Sequence, residues 1–111
     1  MEVIPQELRE YVTAAGKNPF HDWLTGLHDL TGRAMIRVRL NRLRLGNFGD
    51  SKSVGAGVHE LRVDCGPGYR VYFGRAGKAI VILLVGGDKG SQARDISKAQ
   101  QYWDDYQRTA S

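Results

Sequence analysis

The feature that most constrains the fold is a set of three strand-like segments in the second half of the chain. Segments 58–64 and 69–73 alternate between apolar and polar residues, and segment 79–85 is a continuous apolar run. The connections between them, around 66–68 and 74–77, are short and rich in glycine, which is typical of antiparallel hairpins. A continuous apolar run is typical of a strand buried on both faces. The pattern predicts an antiparallel meander with an interior third strand.

Helix signals precede the meander. Asn18 can accept hydrogen bonds as an N-cap, and Pro19 suits the first helical position. Thr31 is predicted to cap a second helix that runs to about Leu45, with Gly46 as its stop. The apolar residues of the first helix recur at helical spacing: Phe20, Trp23, Leu24, Leu27 and Leu30.

The second predicted helix is unusually basic, because no carboxylate lies between residues 30 and 50 to pair its arginines. Either the arginines form a solvated face, which is the commoner arrangement, or they contact nucleic acid or a partner. We expect the helix to bury Met35, Ile36, Val38, Leu40 and Leu43. Its basic residues are Arg33, Arg37, Arg39, Arg42 and Arg44.

A final helix is predicted over 91–108, and a short strand is compatible with Leu8, Tyr11 and Val12. Two helices, an antiparallel sheet and a C-terminal helix make a single α+β domain, which suits a chain of 111 residues. The apolar positions of the last helix, predicted to lie in the core or an interface, are Ile96, Ala99, Trp103 and Tyr106.

The composition favours an anionic partner and a cytoplasmic location. The net charge is +4, and Cys65 is the only cysteine. No segment resembles a membrane helix or a signal peptide. We expect no metal or cofactor, because the three histidines, His21, His28 and His59, lack metal-ligand spacing and no nucleotide-binding motif is present.

Strand alternation predicts a polar cluster on one face of the meander. Glu60 and Arg62 share a face of the first strand, and Arg70 and Tyr72 share a face of the second. We expect these four side chains on an exposed, concave face, with Lys89 at the end of the sheet. They form either ordinary cross-strand ion pairs or a phosphate site, since arginine binds phosphate oxygens bidentately.

The segment HELRVDCGPGYRVYFGRAGKAIVILLVGGDKGSQARDISKAQQYW resembles the addiction-module killer proteins of the RelE/ParE toxin superfamily. The resemblance spans roughly residues 18–106. It implies a cytoplasmic toxin that is neutralised by an antitoxin, often of the helix-turn-helix type, with operator DNA bound only through the complex. It also implies two helices, a twisted antiparallel sheet and a C-terminal helix.

In the RNA-cleaving members, basic residues on adjacent strands cut messenger RNA in the ribosomal A site without a metal. By this resemblance Arg70 corresponds to a phosphate-stabilising arginine and Lys89 to a second basic position. Glu60 and Arg62 occupy places where ribosome-dependent members often carry lysines, so Glu60 departs from the pattern. Some members have tyrosine or histidine near the start of the last helix, where this chain has SQARD.

The roles predicted for RNA cleavage follow from the chemistry. Arg62 and Arg70 are expected to stabilise the phosphate, Glu60 to act as the base, and Lys89 to protonate the leaving oxygen. Tyr72 is expected to be a stacking platform or an alternative acid. Further RNA contacts are predicted for four arginines: Arg37, Arg42, Arg44 and Arg94.

Two alternatives stay open. Other members of the superfamily poison DNA gyrase by binding, with no nuclease chemistry, and here the basic helix would serve as the docking surface. The chain can also be a catalytically silent homologue that acts only in operator binding with its antitoxin. The Arg62, Arg70 and Lys89 set favours RNA cleavage.

Overall fold

A five-stranded sheet forms the centre of the protein, as shown by a computed structural model that describes residues 3–110. Two helices cover one face of this sheet and a third helix covers the other. The elements are β1 (Glu7–Glu10), α1 (Pro19–Gly26), α2 (Leu30–Arg44), β2 (Ser51–Ser53), β3 (Val58–Val63), β4 (Tyr69–Arg75), β5 (Ile80–Asp88) and α3 (Gln92–Thr109), with a 3₁₀ turn at Lys89–Ser91 before α3. Within the described residues, no helix is both long and apolar enough to cross a membrane.

The strand order is β1-β5-β4-β3-β2, and the predicted antiparallel meander of β3, β4 and β5 is confirmed. The α+β class is also confirmed. The sheet is mixed rather than wholly antiparallel, because β1 pairs parallel to β5. The N-terminal strand therefore makes β5 an interior strand, which explains its continuous apolar sequence. The short strand β2 lies in the glycine-rich stretch for which no strand was predicted.

The two N-terminal helices begin at side-chain caps. Asn18 accepts a hydrogen bond from the backbone N–H of His21 at 3.0 Å, which confirms the predicted start of α1. The predicted cap of α2 is wrong: Asp29, not Thr31, accepts from the N–H of Gly32 at 2.9 Å. Asp29 also accepts a hydrogen bond from the hydroxyl of Tyr69, at 2.8 Å. This second bond ties the start of α2 to β4.

The arrangement of α2 corrects the prediction for two of its apolar residues. Met35 and Val38 are 41% and 42% exposed, not buried. The helix packs on the sheet through Ile36, Leu40 and Leu43, whose spacing of four and three keeps them on one stripe. Met35 and Val38 lie beside that stripe and face solvent.

Two glycines allow a tryptophan to pack directly on each face of the sheet. A Cβ at Gly86 of β5 would lie 2.1 Å from the ring of Trp23, on the α1 side. A Cβ at Gly74 of β4 would lie 2.3 Å from the ring of Trp103, on the α3 side. No Cβ can occupy either position unless the indole moves, so these glycines set how closely the helices approach the sheet.

We predict that Gly86→Ala lowers the free energy of unfolding by about 1–3 kcal/mol, because the added methyl group overpacks the Trp23 site. Urea unfolding followed by circular dichroism measures this change. Gly26→Ala is the control, since a Cβ at Gly26 meets no atom within 4 Å, and we expect it to be neutral or stabilising. Equal stability of Gly86→Ala and wild type would contradict the close packing.

Candidate functional site

Strand pairing places the predicted polar cluster in two adjacent rows on one face of the sheet. Arg62 of β3 lies opposite Arg70 of β4, and Glu60 lies opposite Tyr72. The prediction that these four side chains share a face is therefore confirmed. Two arginines directly opposite each other repel, so this row needs a nearby negative charge.

The prediction that this face is exposed is wrong for Glu60 and Tyr72, which are both completely buried. Helix α3 packs over them and extends the second hydrophobic core across this face. Gly87 permits the close approach of α3, because a Cβ there would lie 1.8 Å from a carboxylate oxygen of Asp95. Only the arginine end of the polar cluster remains open to solvent.

The Glu60 carboxylate is the centre of the site. Its Oε2 accepts hydrogen bonds from the Tyr72 hydroxyl at 3.0 Å and from Gln92 Nε2 at 2.8 Å. Its Oε1 accepts from Arg62 Nε at 3.2 Å and lies 3.8 Å from Arg70 Nε. These four partners come from β3, β4 and α3. The carboxylate therefore holds three elements together and neutralises part of the arginine charge.

Glu60 is ionised at neutral pH although it is buried. Burial by itself raises the pKa of a carboxyl group. The hydrogen bonds from Gln92, Arg62 and Tyr72, together with the charge of Arg70, lower the pKa by more than burial raises it. The pKa of Glu60 consequently lies below its ordinary value. The carboxylate of Glu60 accepts hydrogen bonds from three side chains, and the residue has no exposed surface. Glu60 is therefore placed to position the arginines, not to touch a substrate hydroxyl.

Tyr72 has a structural place in this network. Burial raises the pKa of its hydroxyl well above the ordinary value, and the negative charge of Glu60 and the hydrogen bond to it raise the pKa further. The hydroxyl thus stays protonated and donates to Glu60. Because its ring is fully buried, Tyr72 offers no face on which a base could stack, and that predicted role is wrong.

The two arginines point their charge toward the open end of the site. The Arg62 side chain is 36% exposed and the Arg70 side chain 12% exposed. Within residues 3–110, the buried Nε–H of Arg70 donates no hydrogen bond. One Arg70 Nη atom makes only a long contact of 3.5 Å with the carbonyl oxygen of Tyr69. The Nη atoms of Arg70 therefore keep donor capacity for an anionic ligand, whereas its buried Nε–H lies beside Glu60.

Lys89 lies at the same end of the sheet, in the 3₁₀ turn that joins β5 to α3, and it is exposed. A Cβ at Gly68 would lie 3.6 Å from Lys89 Cβ and 3.7 Å from Arg70 Nη1, so both residues flank this glycine. Asp88 and Ser91 fix the turn by a capping box. The structure thus brings Arg62, Arg70 and Lys89 to one sheet end.

Two neighbours of Glu60 were not predicted. Gln92 contacts the carboxylate directly, but nothing in the local sequence marks the first residue of a helix as a partner of a distant strand. Lys52 lies opposite Glu60 across β2 and β3, which places a further exposed cation beside this face. Its position follows only from β2, a strand of three residues that lacks a recognisable apolar alternation.

The predicted RNA contacts divide between two surfaces. Arg94 is largely exposed near the start of α3, 3.9 Å from a carboxylate oxygen of Asp95. Arg37, Arg42 and Arg44 belong to α2, which packs on the other face of the sheet. The structure therefore does not bring the α2 arginines together with Arg62, Arg70 and Lys89.

The described part of the chain holds no group of three or more His, Cys, Asp and Glu side chains arranged to bind a metal ion. The site contains arginine and amide donors around one buried carboxylate, with Lys89 at the same sheet end. Guanidinium and ammonium groups are the donors with which proteins bind carboxylates and phosphates.

We predict that Glu60→Gln destabilises the fold by about 2–3 kcal/mol at neutral pH, because it leaves a partly buried arginine pair without its counter-charge. The pKa of Glu60 in the folded protein lies below its ordinary value, so its charge contributes fully to stability above the ordinary pKa of a glutamate, and the contribution is lost as the pH falls through the folded pKa.

Urea unfolding of wild type and Glu60→Gln from about pH 3 to pH 7 measures this effect. The difference between them should be constant near neutrality and shrink in acid. The exposed Glu7→Gln serves as control, with a change below about 0.5 kcal/mol. A difference that grows as the pH falls would contradict the assignment.

Comparison with models of known protein families gives no match. The chain is similar to a protein of Haemophilus influenzae (strain ATCC 51907 / DSM 11121 / KW20 / Rd) that is named only as an uncharacterized protein. The two sequences are 51% identical over 81 residues, which cover 73% of this chain and 82% of the relative. By this identity and coverage, the chain belongs to the same family as that Haemophilus influenzae protein.

Proposed function

We propose that the chain is the toxin of a toxin–antitoxin module, and that it stops translation by cleaving messenger RNA on the ribosome. A cognate antitoxin in the cytoplasm neutralises it. The observation that carries this proposal is the convergence of Arg62, Arg70 and Lys89 at one sheet end. Two of these cations pair with the carboxylate of Glu60, and Lys89 adds a third positive charge at the same sheet end, which leaves an excess of positive charge. The resemblance to RNA-cleaving toxins of the RelE/ParE superfamily supports the same chemistry.

The arrangement suits transesterification within an RNA strand. The ribose 2′-oxygen attacks the adjacent phosphorus, the bond from phosphorus to the 5′-oxygen breaks, and a 2′,3′-cyclic phosphate remains. The 2′ proton leaves to solvent, and the 5′-oxygen gains a proton from Lys89. Arg70 and Arg62 stabilise the charge on the pentacoordinate phosphorus, because the guanidinium stays protonated at any physiological pH.

Glu60 takes a different role from the predicted base. It is buried and accepts hydrogen bonds from Arg62, Tyr72 and Gln92, so it acts as a positioning residue. Its effect is to hold two guanidinium groups of like charge side by side. A preformed arrangement of this kind lowers the barrier because the groups need no reorganisation during the reaction.

We predict that Arg70→Ala abolishes growth arrest and lowers RNA cleavage by about 100-fold or more, as expected when one donor to a transition-state charge is removed. The measurement is expression under tight control, followed by mapping of the 5′ ends of cellular messenger RNA. Arg9→Ala is the control, since Arg9 is exposed on β1, at the edge of the sheet away from Arg70, where it forms an ion pair with Glu7.

Circular dichroism must show that Arg70→Ala folds as wild type does. New 5′ ends within translated frames, absent from Arg70→Ala and present in Arg9→Ala, would support the proposal. Growth arrest with intact messages and rising DNA breaks would replace it with gyrase poisoning. Strong binding of the isolated chain to operator DNA, without growth arrest, would replace it with a role in repression.

A further inference from the structure

A cleft of about 290 Å³ lies on the face of the sheet opposite Glu60. It opens between α1 and α2, above the strands β1 and β5. Four apolar side chains, all buried, form its floor: Phe20, Leu24, Leu40 and Leu83. None of these residues takes part in the cation site, and the packing of the two helices leaves this depression between them.

The rim of the cleft is polar and mainly cationic. Arg37 and Arg44 lie seven residues apart on α2, and Asn41 lies between them. Within residues 3–110, neither of these arginines forms an ion pair. Arg44 donates a hydrogen bond to the side-chain oxygen of Asn41 at 2.6 Å. On the other side, Glu10 accepts a hydrogen bond from the side chain of Asn18 at 2.9 Å.

We propose that this cleft binds a segment of a partner protein in which a carboxylate side chain lies next to a large apolar side chain. The apolar side chain enters the cleft, and the carboxylate pairs with Arg37 and Arg44. Arginine forks match a carboxylate in geometry as well as charge, and neither guanidinium group forms an ion pair within the described residues. The proposal does not rest on RNA cleavage.

The size of the cleft favours an anchoring side chain over a whole small molecule. Ligand pockets measure about 300–1,000 Å³, and this cleft lies at the lower limit. A leucine or aromatic side chain fits such a space, and interface anchors of this kind fill pockets beside charged residues.

A protein segment also suits the cleft better than RNA. The floor is mostly aliphatic, and the ring of Phe20 is 1% exposed, so the floor offers no face for stacking a base. The exposed ring of His21 lies at the rim. Glu10 at the rim repels each phosphate of a polyanionic strand, whereas a protein segment brings a single negative charge to the two arginines. The two surfaces of the protein therefore recognise anions of different kinds.

Nuclear magnetic resonance titration tests the proposal directly. The ¹⁵N-labelled chain is titrated with an acetylated, amidated hexapeptide of alternating leucine and glutamate, and with the same peptide carrying glutamine in place of glutamate. We expect saturable shifts of the amides of Leu24 and Asn41, with a Kd of about 1 mM or lower for the acidic peptide. The glutamine peptide should bind at least about tenfold more weakly.

Variants assign the effect to the rim. The double variant Arg37→Gln/Arg44→Gln should bind the acidic peptide with an affinity about tenfold or more below that of wild type. The control double variant Arg9→Gln/Arg42→Gln removes two positive charges that lie outside the cleft. Its affinity for the acidic peptide should be within about twofold of that of wild type. Both changes are on the surface, so the variants should fold. The titration contains no RNA, so its outcome and that of the RNA-cleavage experiment are independent of each other.

Three results would overturn the proposal. One is the absence of saturable shifts up to about 10 mM of the acidic peptide. Another is equal affinity for the glutamine peptide, which would reduce the cleft to a weak apolar contact. The third is an oligouridine that shifts the same amides at lower concentration than the acidic peptide, which would assign the cleft to nucleic acid.

Discussion

The buried carboxylate of Glu60 is the interaction on which the rest of the site depends. Two arginines, Arg62 and Arg70, lie directly opposite each other on neighbouring strands, and without a counter-charge their repulsion would oppose the strand pairing that puts them there. A buried carboxylate is itself costly unless its oxygen atoms are hydrogen-bonded. Glu60 meets that requirement with donors from two strands and from Gln92 of α3. One group thus stabilises both the sheet and the position of the C-terminal helix.

The strand pattern correctly predicted the meander and which side chains share a face, because alternation in a strand depends only on the residue number. It did not predict that α3 buries Glu60 and Tyr72, because burial on a sheet face depends on where a distant helix packs. The apolar residues of the C-terminal helix indicated a core contact. How closely α3 approaches the sheet depends on Gly74 and Gly87, which have no Cβ to hold the helix away. Nothing in the sequence around these two glycines distinguishes them from ordinary turn and strand residues. Lys52 was missed because β2 is too short to show a pattern.

The two faces of the sheet have different chemical characters. On the α3 side, cations gather at one end around a single buried carboxylate, an arrangement suited to a phosphate. On the α1–α2 side, two arginines without ion pairs in the described part of the chain border an apolar cleft, an arrangement suited to an acidic protein segment. The sequence alone left the arginines of α2 open between solvation and binding, and we propose a binding role for the two that border this cleft, Arg37 and Arg44. A partner bound there would leave the arginine end of the sheet uncovered.

The most direct measurement is cleavage of a defined message on a programmed ribosome by the purified chain, with analysis of the product ends. We predict a 2′,3′-cyclic phosphate on the upstream fragment and a 5′-hydroxyl on the downstream fragment. We also predict that the rate falls in both Arg70→Ala and Glu60→Gln, since one removes a group that touches the phosphate and the other the group that positions it. An intact message, or cleavage that both folded variants catalyse at the wild-type rate, would contradict the assignment of this sheet end as an RNA-cleaving site.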